Sequence, residues 1–444
     1  MSRPTLRAHI PWSYWARRRR AWQVASALSR HGLGWALGRR GLRRLLPFHR
    51  GWLGHAPRAV PYTPPEHIRL AAEDLGATFV KLGQIASTRS DLVPPSYQAE
   101  LSRLQDAAPS EPWPAIDAVL IDALGSGYLS RFARLDQEPL AAASIGQAHA
   151  GVLDDGTEVV VKVRRPGVAD LVDVDLELLE AMAARLARRS AAAERYDLVG
   201  LARQFATTLR TELDYVREAA SAQQFAANFA DDPAVHIPDV ITELSTEKVL
   251  TLERVRGVKV DDPAGLAGSG VNSHELARRA ARVTLQMVFR DGFFHADPHP
   301  GNFFVEAGGR LGIIDFGMVG AVDEPTRFRL LSMLGAIAAG DGDAMVEAFL
   351  TLGFADTGVN ETELRDDLAA LFRSQLDRPL ADVAVGSLVG EIFKVIRQHR
   401  LVLPPSMALL LKTIVMCEGL GARLDPSFRL LDAVTSFANP GPDP

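Results

Sequence analysis

Asp315 comes thirteen residues after Asn302, and this interval constrains the chain more than any other feature. Asn302 closes the stretch His295-Ala296-Asp297-Pro298-His299-Pro300-Gly301-Asn302, and Asp315 opens Asp315-Phe316-Gly317. Phosphoryl transfer needs a carboxylate to take the proton of an attacking hydroxyl, and it needs oxygen ligands for Mg2+. Asp297 fits the first requirement, and Asn302 and Asp315 fit the second. The Asp-x-x-x-x-Asn spacing lets one short loop point both side chains at the phosphates. A lone Asp-Phe-Gly would be an ordinary turn; both motifs in this order and at this spacing are not.

A chain of 444 residues can bury a large core and form two lobes or more. Its net charge of −5 excludes nucleic-acid binding by bulk charge. The single cysteine, Cys417, excludes internal disulfides and fits a reducing compartment, so a cytoplasmic location is expected. No Cys/His cluster points to zinc. The charge is uneven: residues 1–60 hold thirteen arginines and no Asp or Glu, and five of the six tryptophans (Trp12, Trp15, Trp22, Trp35, Trp52). Arginine with interfacial tryptophan is what an anionic membrane surface attracts. Arg17 to Arg20 wrap all round a helix, so the competing reading is a basic arm that packs on its own domain. Arg30 and Arg39-Arg40 interrupt the apolar runs, which excludes a secretory signal. The best spanning candidate, 401–420, contains Pro404, Pro405, Lys412 and Glu418, so no transmembrane helix is expected.

The organisation reads as a basic arm at 1–65, a helical extension at 66–130, two lobes at 131–255 and 256–438, and a frayed tail at 439–444. The extension is broken at Pro94-Pro95 and at 112–114. Residues 148–153 and 157–163, joined by Asp154-Asp155-Gly156, predict a β-hairpin. Residues 168–230 carry helical patterns, 249–258 return to strand and linker, and the chain beyond Ser273 is mostly helical around the Asp297 loop.

Lys162 sits inside the apolar strand Val159-Val160-Val161-Lys162-Val163, where a lone ammonium is costly and needs a partner. In kinases such a lysine holds the α and β phosphates and pairs with a helix glutamate. The partner candidates are Glu212, Asp214 and Glu218; on one continuous helix Asp214 and Glu218 share a face and Glu212 lies to the side. About fifty residues separate them from Lys162, so an insertion is expected between. The phosphate turn is Ala141-Ala142-Ala143-Ser144-Ile145-Gly146-Gln147, with one glycine. Alanine enters positive φ only at a cost, so this turn should be stiffer than a glycine-rich one and offer phosphates fewer backbone N–H groups. Lys81-Leu82-Gly83-Gln84 suggests no mechanism by itself.

Together these residues resemble the UbiB/AarF family of atypical kinase-like proteins, the aarF-domain kinases. The likeness rests on Lys81-x-Gly83-Gln84, the alanine-rich turn 141–147, Lys162 with Arg165-Pro166, Glu212-x-Asp214 with Glu218, residues 295–302, and Asp315-Phe316-Gly317, in the family order over 79–317. Leu424-Asp425-Pro426 extends it. The resemblance implies an α+β, two-lobed, protein-kinase-like fold with an N-terminal helical extension. It implies that Lys81 and Gln84 face Glu212 and Asp214 where a peptide substrate would otherwise lie. It further implies ATP or ADP binding with Mg2+, ATPase activity, and support of isoprenoid quinone biosynthesis. In that frame Asp297 is catalytic, Asn302 and Asp315 hold Mg2+, Lys162 held by Glu218 orients phosphates, the turn Ala141, Ala142, Ala143, Ser144, Gly146 and Gln147 contacts them, and Glu253 marks the hinge near adenine. Partners implied are a quinone precursor or other lipid, an anionic membrane surface and lipid-biosynthesis enzymes. Ubiquinone members carry C-terminal transmembrane anchors that the sequence to Pro444 does not show, so the expected attachment is peripheral, on the inner face. Arg164 stands where glutamine is usual, a minor departure. Ala296 and the short run from Gly317 to a helix at 324–334, with no Ala-Pro-Glu, argue against a protein kinase. The competing function is a nucleotide-gated module that presents lipids with negligible turnover.

Overall fold

The computed structural model describes residues 14–31, 61–87, 89, 92–104, 108–188, 197–352, 360–376, 385–399, 401 and 403–438. Trp12, Trp35, Trp52 and the expected tail at 439–444 lie outside these. The described residues fall into two compact units. The first draws on Met1–Ser87, Val93–Tyr215 and Thr246–Leu250, the second on Thr88–Leu92, Val216–Ser245 and Thr251–Pro444.

The first unit is built round an antiparallel sheet. Strand β1 (Phe132–Ala142) pairs with β2 (Gly146–Leu153), and β2 pairs with β3 (Glu158–Arg164), Ala148 standing opposite Lys162. The expected hairpin is β2–β3. Strand β5 (Val249–Glu253) follows as fourth neighbour, giving the order β1-β2-β3-β5. The period of two sends Val159, Val161 and Val163 into the core and Lys162 to the opposite face. Strand β1 was hidden in the sequence because Pro139 and a polar run break its alternation. The pairing is irregular on both sides of Pro139, as expected where a residue cannot donate to the ladder.

Prolines start helices in the extension. Pro64–Leu75 follows Thr63, whose backbone and hydroxyl donate to Glu66 Oε2 at 2.6 and 2.7 Å, and Pro95–Leu101 and Trp113–Leu124 follow Pro94 and Pro112. The Tyr14–Arg30 helix is not a loose arm. Its Val24, Ala27 and Leu28 are buried with Leu75, Phe79, Val80, Leu101 and Leu104. Helices Val168–Ala187 and Leu198–Glu212 pack through Val172, Leu176, Phe205 and Leu209, with Leu82 and Ile85 of Ala77–Ser87 against them.

The three acids do not share one helix. Leu198–Glu212 ends at Leu213, and a new helix begins at Tyr215. Leu213 is drawn into the core, Arg164 Nη1 donates to its carbonyl at 2.7 Å, and Tyr215 N–H bonds Glu247 O at 3.3 Å instead of continuing the ladder. Glu212 and Asp214 thus belong to the first unit, and Glu218, in the first turn of Tyr215–Asn228, to the second.

The second unit has one large core. It includes Phe225, Leu276, Phe294, Phe316, Phe349, Phe372, Ile396 and Leu410. Short strands β4 (Val235–His236), β6 (Val258–Lys259), β8 (Phe303–Val305) and β9 (Leu311–Ile313) form a sheet ordered β4-β9-β8-β6, and β7 (Phe293–His295) pairs with β10 (Val319–Ala321). Helix Ser273–Leu285 runs into a single π-helical turn, Gln286–Asp291, before β7. Beyond β10 come helices Glu324–Ala339, Gly342–Thr351, Glu361–Leu376, Val385–Gln398, Pro405–Leu424 and Leu430–Ala438. Among the described residues no helix is long and apolar enough to cross a membrane.

Candidate active site

Two strand pairings set the candidate residues side by side. In β8–β9 the register is Phe303↔Ile313, Phe304↔Gly312 and Val305↔Leu311, and Ile314 N–H continues it to Asn302 O at 2.9 Å. Asn302 and Asp315 therefore leave the same end of one hairpin. In β7–β10 Val319 faces His295, and Ala296 N–H bonds Met318 O at 3.0 Å. Asp297 follows two residues after that pair. The thirteen-residue interval thus encodes a hairpin whose length returns the chain to its start.

Hydrogen bonds fix the loop between these strands. Asp297 N–H donates to His295 Nδ1 at 3.1 Å, so Nε2 carries the proton and meets Ile314 O at 3.3 Å. Burial pushes the His295 pKa down, against the pull of Asp315, which keeps the ring neutral and in this tautomer. His299 Nδ1 accepts from Gly301 N–H at 3.1 Å, which folds that ring back onto its own loop. Asn302 Nδ2 donates to Asp297 O at 3.0 Å; with the amide nitrogen so used, Oδ1 is the atom presented to a cation.

Asp315 has φ of 64°, one of two non-glycine residues with positive φ among those described. Such strain of order 1–3 kcal/mol persists where the surroundings over-determine it, commonly at functional sites. Phe316 anchors the turn: it is fully buried, 5.3 Å from the Phe225 ring and 6.0 Å from that of His295. Glu218 lies beside the same turn, since a Cβ on Gly317 would stand 3.7 Å from its Oε2. Six residues beyond Gly317 the chain is already at Asp323, the cap of the Glu324–Ala339 helix, so the helix expected at 324–334 is present.

One residue here escaped the sequence reading. Lys412 Nζ lies 3.0 Å from Asp297 Oδ1. In the sequence Lys412 marks only a charge that spoils a membrane span. The available signal was its isolation, since it is the one charged residue between Pro405 and Cys417.

The first unit carries the remaining candidates apart from Glu253. Ala142 faces Gln147 across β1–β2, Ala143 N–H bonds Gly146 O at 2.8 Å, and no alanine of the turn has positive φ. Gly146 is required for space: a Cβ there would meet Tyr215 Oη at 2.3 Å and Val163 O at 2.9 Å. Arg165, quoted in the motif without a role, clamps the turn. Its Nε donates to Ala143 O at 2.7 Å, its N–H to Ile145 O at 2.9 Å, and Nη1 to Glu111 at 2.8 Å. Ser144 is buried within this turn. Gln147 is turned elsewhere, accepting from Glu111 N–H at 2.8 Å and lying 2.9 Å from His149 Nε2. Its contribution is to the frame of the turn.

Lys81 Nζ stands 3.4 Å from Glu212 Oε2, both largely buried. Gly83 lies against Leu104 and Leu101, and the ends of those side chains would have to shift to admit a Cβ there. Gln84 donates to Leu104 O at 3.1 Å, an anchor of the helix that the expected approach to Asp214 does not include. The Glu253 carboxylate, expected near adenine, is held in the second unit by His236 Nε2 at 3.2 Å and Asp239 N–H at 3.4 Å.

The donor set suits Mg2+. An amide oxygen and a carboxylate on adjacent backbone are hard ligands, and Mg2+ is commonly held by one or two carboxylates with phosphates and water completing its shell. Among the described residues no group of three or more His, Cys, Asp or Glu side chains is placed to hold a metal.

The ABC1 atypical kinase-like domain matches residues 103–349, and the UbiB helical domain matches 368–429. The chain belongs to the ABC1 atypical kinase-like family. A probable protein kinase UbiB of Azotobacter vinelandii is 38% identical over 409 residues, covering 90% of this chain and 74% of the relative. A Pseudomonas putida protein of the same name is 38% identical over 396 residues, covering 88% and 72%. Among solved structures, the Mycobacterium tuberculosis protein Rv3197, in complex with erythromycin, is 26% identical with a TM-score of 0.58. It covers 83% of this chain and 94% of that one. The fold is accordingly the α+β kinase-like fold with an N-terminal helical region, as the resemblance implied.

Proposed function

We propose that this family member is an ATP-dependent phosphotransferase or ATPase that supports isoprenoid quinone or other lipid metabolism at a membrane surface. The observation that carries the reading is the convergence of Asp297, Asn302 and Asp315 through the β7–β10 and β8–β9 pairings. Asp297 accepts the proton of an attacking hydroxyl or water. Asn302 Oδ1 and the Asp315 carboxylate hold Mg2+, and the neutral His295 keeps the loop in register. Bound Mg·ATP supplies the transferable phosphoryl group and the charge that neutralises the developing anion. In the first unit Lys162 is the cation for phosphates, and the turn 141–146 offers backbone N–H groups. The name protein kinase carried by the relatives is not extended to this chain, because the chain from Gly317 to Glu324 leaves little room to seat a peptide.

A second reading, a nucleotide-gated lipid-presenting module, draws on the Lys81–Glu212 pair, which commits a lysine and an acid to each other at 3.4 Å. The stiff turn separates the two. Ala142→Gly should relax the backbone by about 0.5–1 kcal/mol, which alters the ATP-to-ADP affinity ratio by roughly two- to fivefold. Calorimetric titration of both nucleotides checks this, and a ratio equal to the parent's removes the turn from the specificity argument.

Membrane action rests on the outer face of the Tyr14–Arg30 helix. Trp15 and Trp22 are more than two-thirds exposed, and Arg18 lies over the Trp15 ring at 5.8 Å. Arg17 is tied to Glu177, and Arg20 is buried in an ion pair, so only part of the arginine run is offered outward. Replacing Arg18 and Arg19 by Ser should weaken binding to anionic liposomes about 30-fold at low salt, at about 1 kcal/mol each. Trp15→Ser/Trp22→Ser should also release the protein while its unfolding transition stays put. The deciding experiment is ATP hydrolysis by these proteins with and without anionic liposomes. Stimulation in the parent that is lost in the variants supports the surface reading; turnover indifferent to liposomes refutes it.

A further inference from the structure

The candidate catalytic carboxylate has its counter-charge on a different part of the chain from its own loop. The loop 295–302 holds no Lys or Arg; Ala296 precedes Asp297, and His299 is folded onto Gly301. The cation at Asp297 comes instead from Pro405–Leu424, inside the segment matched by the UbiB helical domain. We propose that Lys412 is the positioning residue for Asp297, so that the helical domain completes the catalytic loop. The inference rests on the phosphotransferase reading of that loop.

The surroundings single Lys412 out. Its neighbours on the helix are apolar or buried: Ala408 and Leu410 are in the core, and the Thr413 hydroxyl is satisfied by Leu409 O at 3.0 Å. A lysine in such a stretch costs folding energy unless its ammonium finds a partner, and the partner is Asp297 Oδ1. The helix that carries it is firmly placed. Glu418, six residues on, accepts the N–H groups of Val385 and Gly386 at 2.8 and 2.5 Å and so caps the Val385–Gln398 helix. Its packing partner Ser273–Leu285 leads through the π turn into β7 and hence into the loop itself.

The chemical consequence follows from which oxygen is used. With Oδ1 on Lys412, the Asp297 rotamer is set and Oδ2 is directed to the acceptor. The acceptor O–H proton passes to Oδ2 as the acceptor oxygen bonds the γ-phosphorus. The bond from that phosphorus to the bridging oxygen breaks, and ADP departs with the electron pair.

The test compares full-length parent, Lys412→Met, Lys412→Arg and Asp297→Asn in steady-state ATP hydrolysis, with Mg·ADP affinity by titration. Loss of positioning should lower kcat of Lys412→Met by about 10- to 100-fold, while KM changes less than about threefold. Mg·ADP affinity should be unchanged, and Lys412→Arg should recover most of kcat. Four results overturn the proposal. These are parental kcat in Lys412→Met, a raised kcat showing a brake, an arginine variant as poor as the methionine one, and weakened Mg·ADP binding. Asp297→Asn separates the two levels. If it abolishes turnover while Lys412→Met does not, only the role of Lys412 falls; if the parent binds Mg·ADP without hydrolysing ATP, the phosphotransferase reading falls and takes this one with it.

Discussion

Asp315→Asn should abolish Mg2+-dependent nucleotide binding and turnover while leaving the fold intact. The two halves of that expectation have separate physical sources. Asn is among the few residues that enter the left-handed region readily, so the φ of 64° at this position is preserved. Its amide oxygen can also keep the contact from Gly317 N–H, which reaches Asp315 Oδ1 at 3.4 Å. What disappears is the negative charge on a hard-cation ligand. Partners that merely orient a ligand are worth about 10- to 100-fold in metal affinity, so loss of a direct charged ligand should cost at least about 100-fold. Titration of ADP with and without Mg2+, alongside the ATPase rate, reads the effect. Alanine would be a poorer probe, because it adds backbone strain to the loss of charge. Parental Mg2+-dependent affinity in the asparagine variant would remove Asp315 from the proposed metal site.

The proximity of these candidates is legible in the sequence because of how the loop is built. Asp297, Asn302 and Asp315 sit on two tight strand pairings, and tight pairings translate directly into fixed intervals along the chain. What the intervals do not disclose is the support. Strands of three residues, such as β7 to β10, are too short for an alternating pattern to stand out from chance. The helix break at Leu213 is set by a buried leucine and by Glu247, distant in sequence, and helical spacing cannot see either. Gln84 and Gln147 look like site residues because they flank motif lysine and glycine, yet their amides are taken by backbone and histidine of the frame. Lys412 has the opposite history. Its 115-residue separation from Asp297 makes it invisible to any local reading, and only the folded chain brings the two side chains together.

Removing one partner of the Arg20–Asp175 pair should produce the largest loss of stability in the first unit. Arg20 Nε and Nη2 meet the two Asp175 oxygens at 2.6 and 2.8 Å, and Nη2 also reaches Leu75 O at 2.7 Å. Asp175 is fully buried and the Arg20 side chain largely so, and the pair joins the Tyr14–Arg30, Val168–Ala187 and Pro64–Leu75 helices. Breaking a buried pair from one side typically costs about 3–5 kcal/mol, because the other charge is left uncompensated. For a unit of this size that corresponds to a transition lowered by roughly 6–20 °C. Arg20→Met should be the harsher of the single changes, since it strands a carboxylate with no exposure; Asp175→Ala leaves a longer side chain that can swing outward. The double variant Arg20→Met/Asp175→Leu should recover most of the loss, as apolar groups of similar volume often replace a buried pair at little cost. Urea and thermal unfolding of the four proteins give the coupling energy. Were both single variants as stable as the parent, the basic helix would be only resting on the unit. Its arginines would then be free for the membrane, and deletion of residues 1–60 would be a clean test of membrane binding. With the pair intact it is not, because the deletion uncovers a buried Asp175, and the outward-facing Trp15 and Trp22 have to be probed in place.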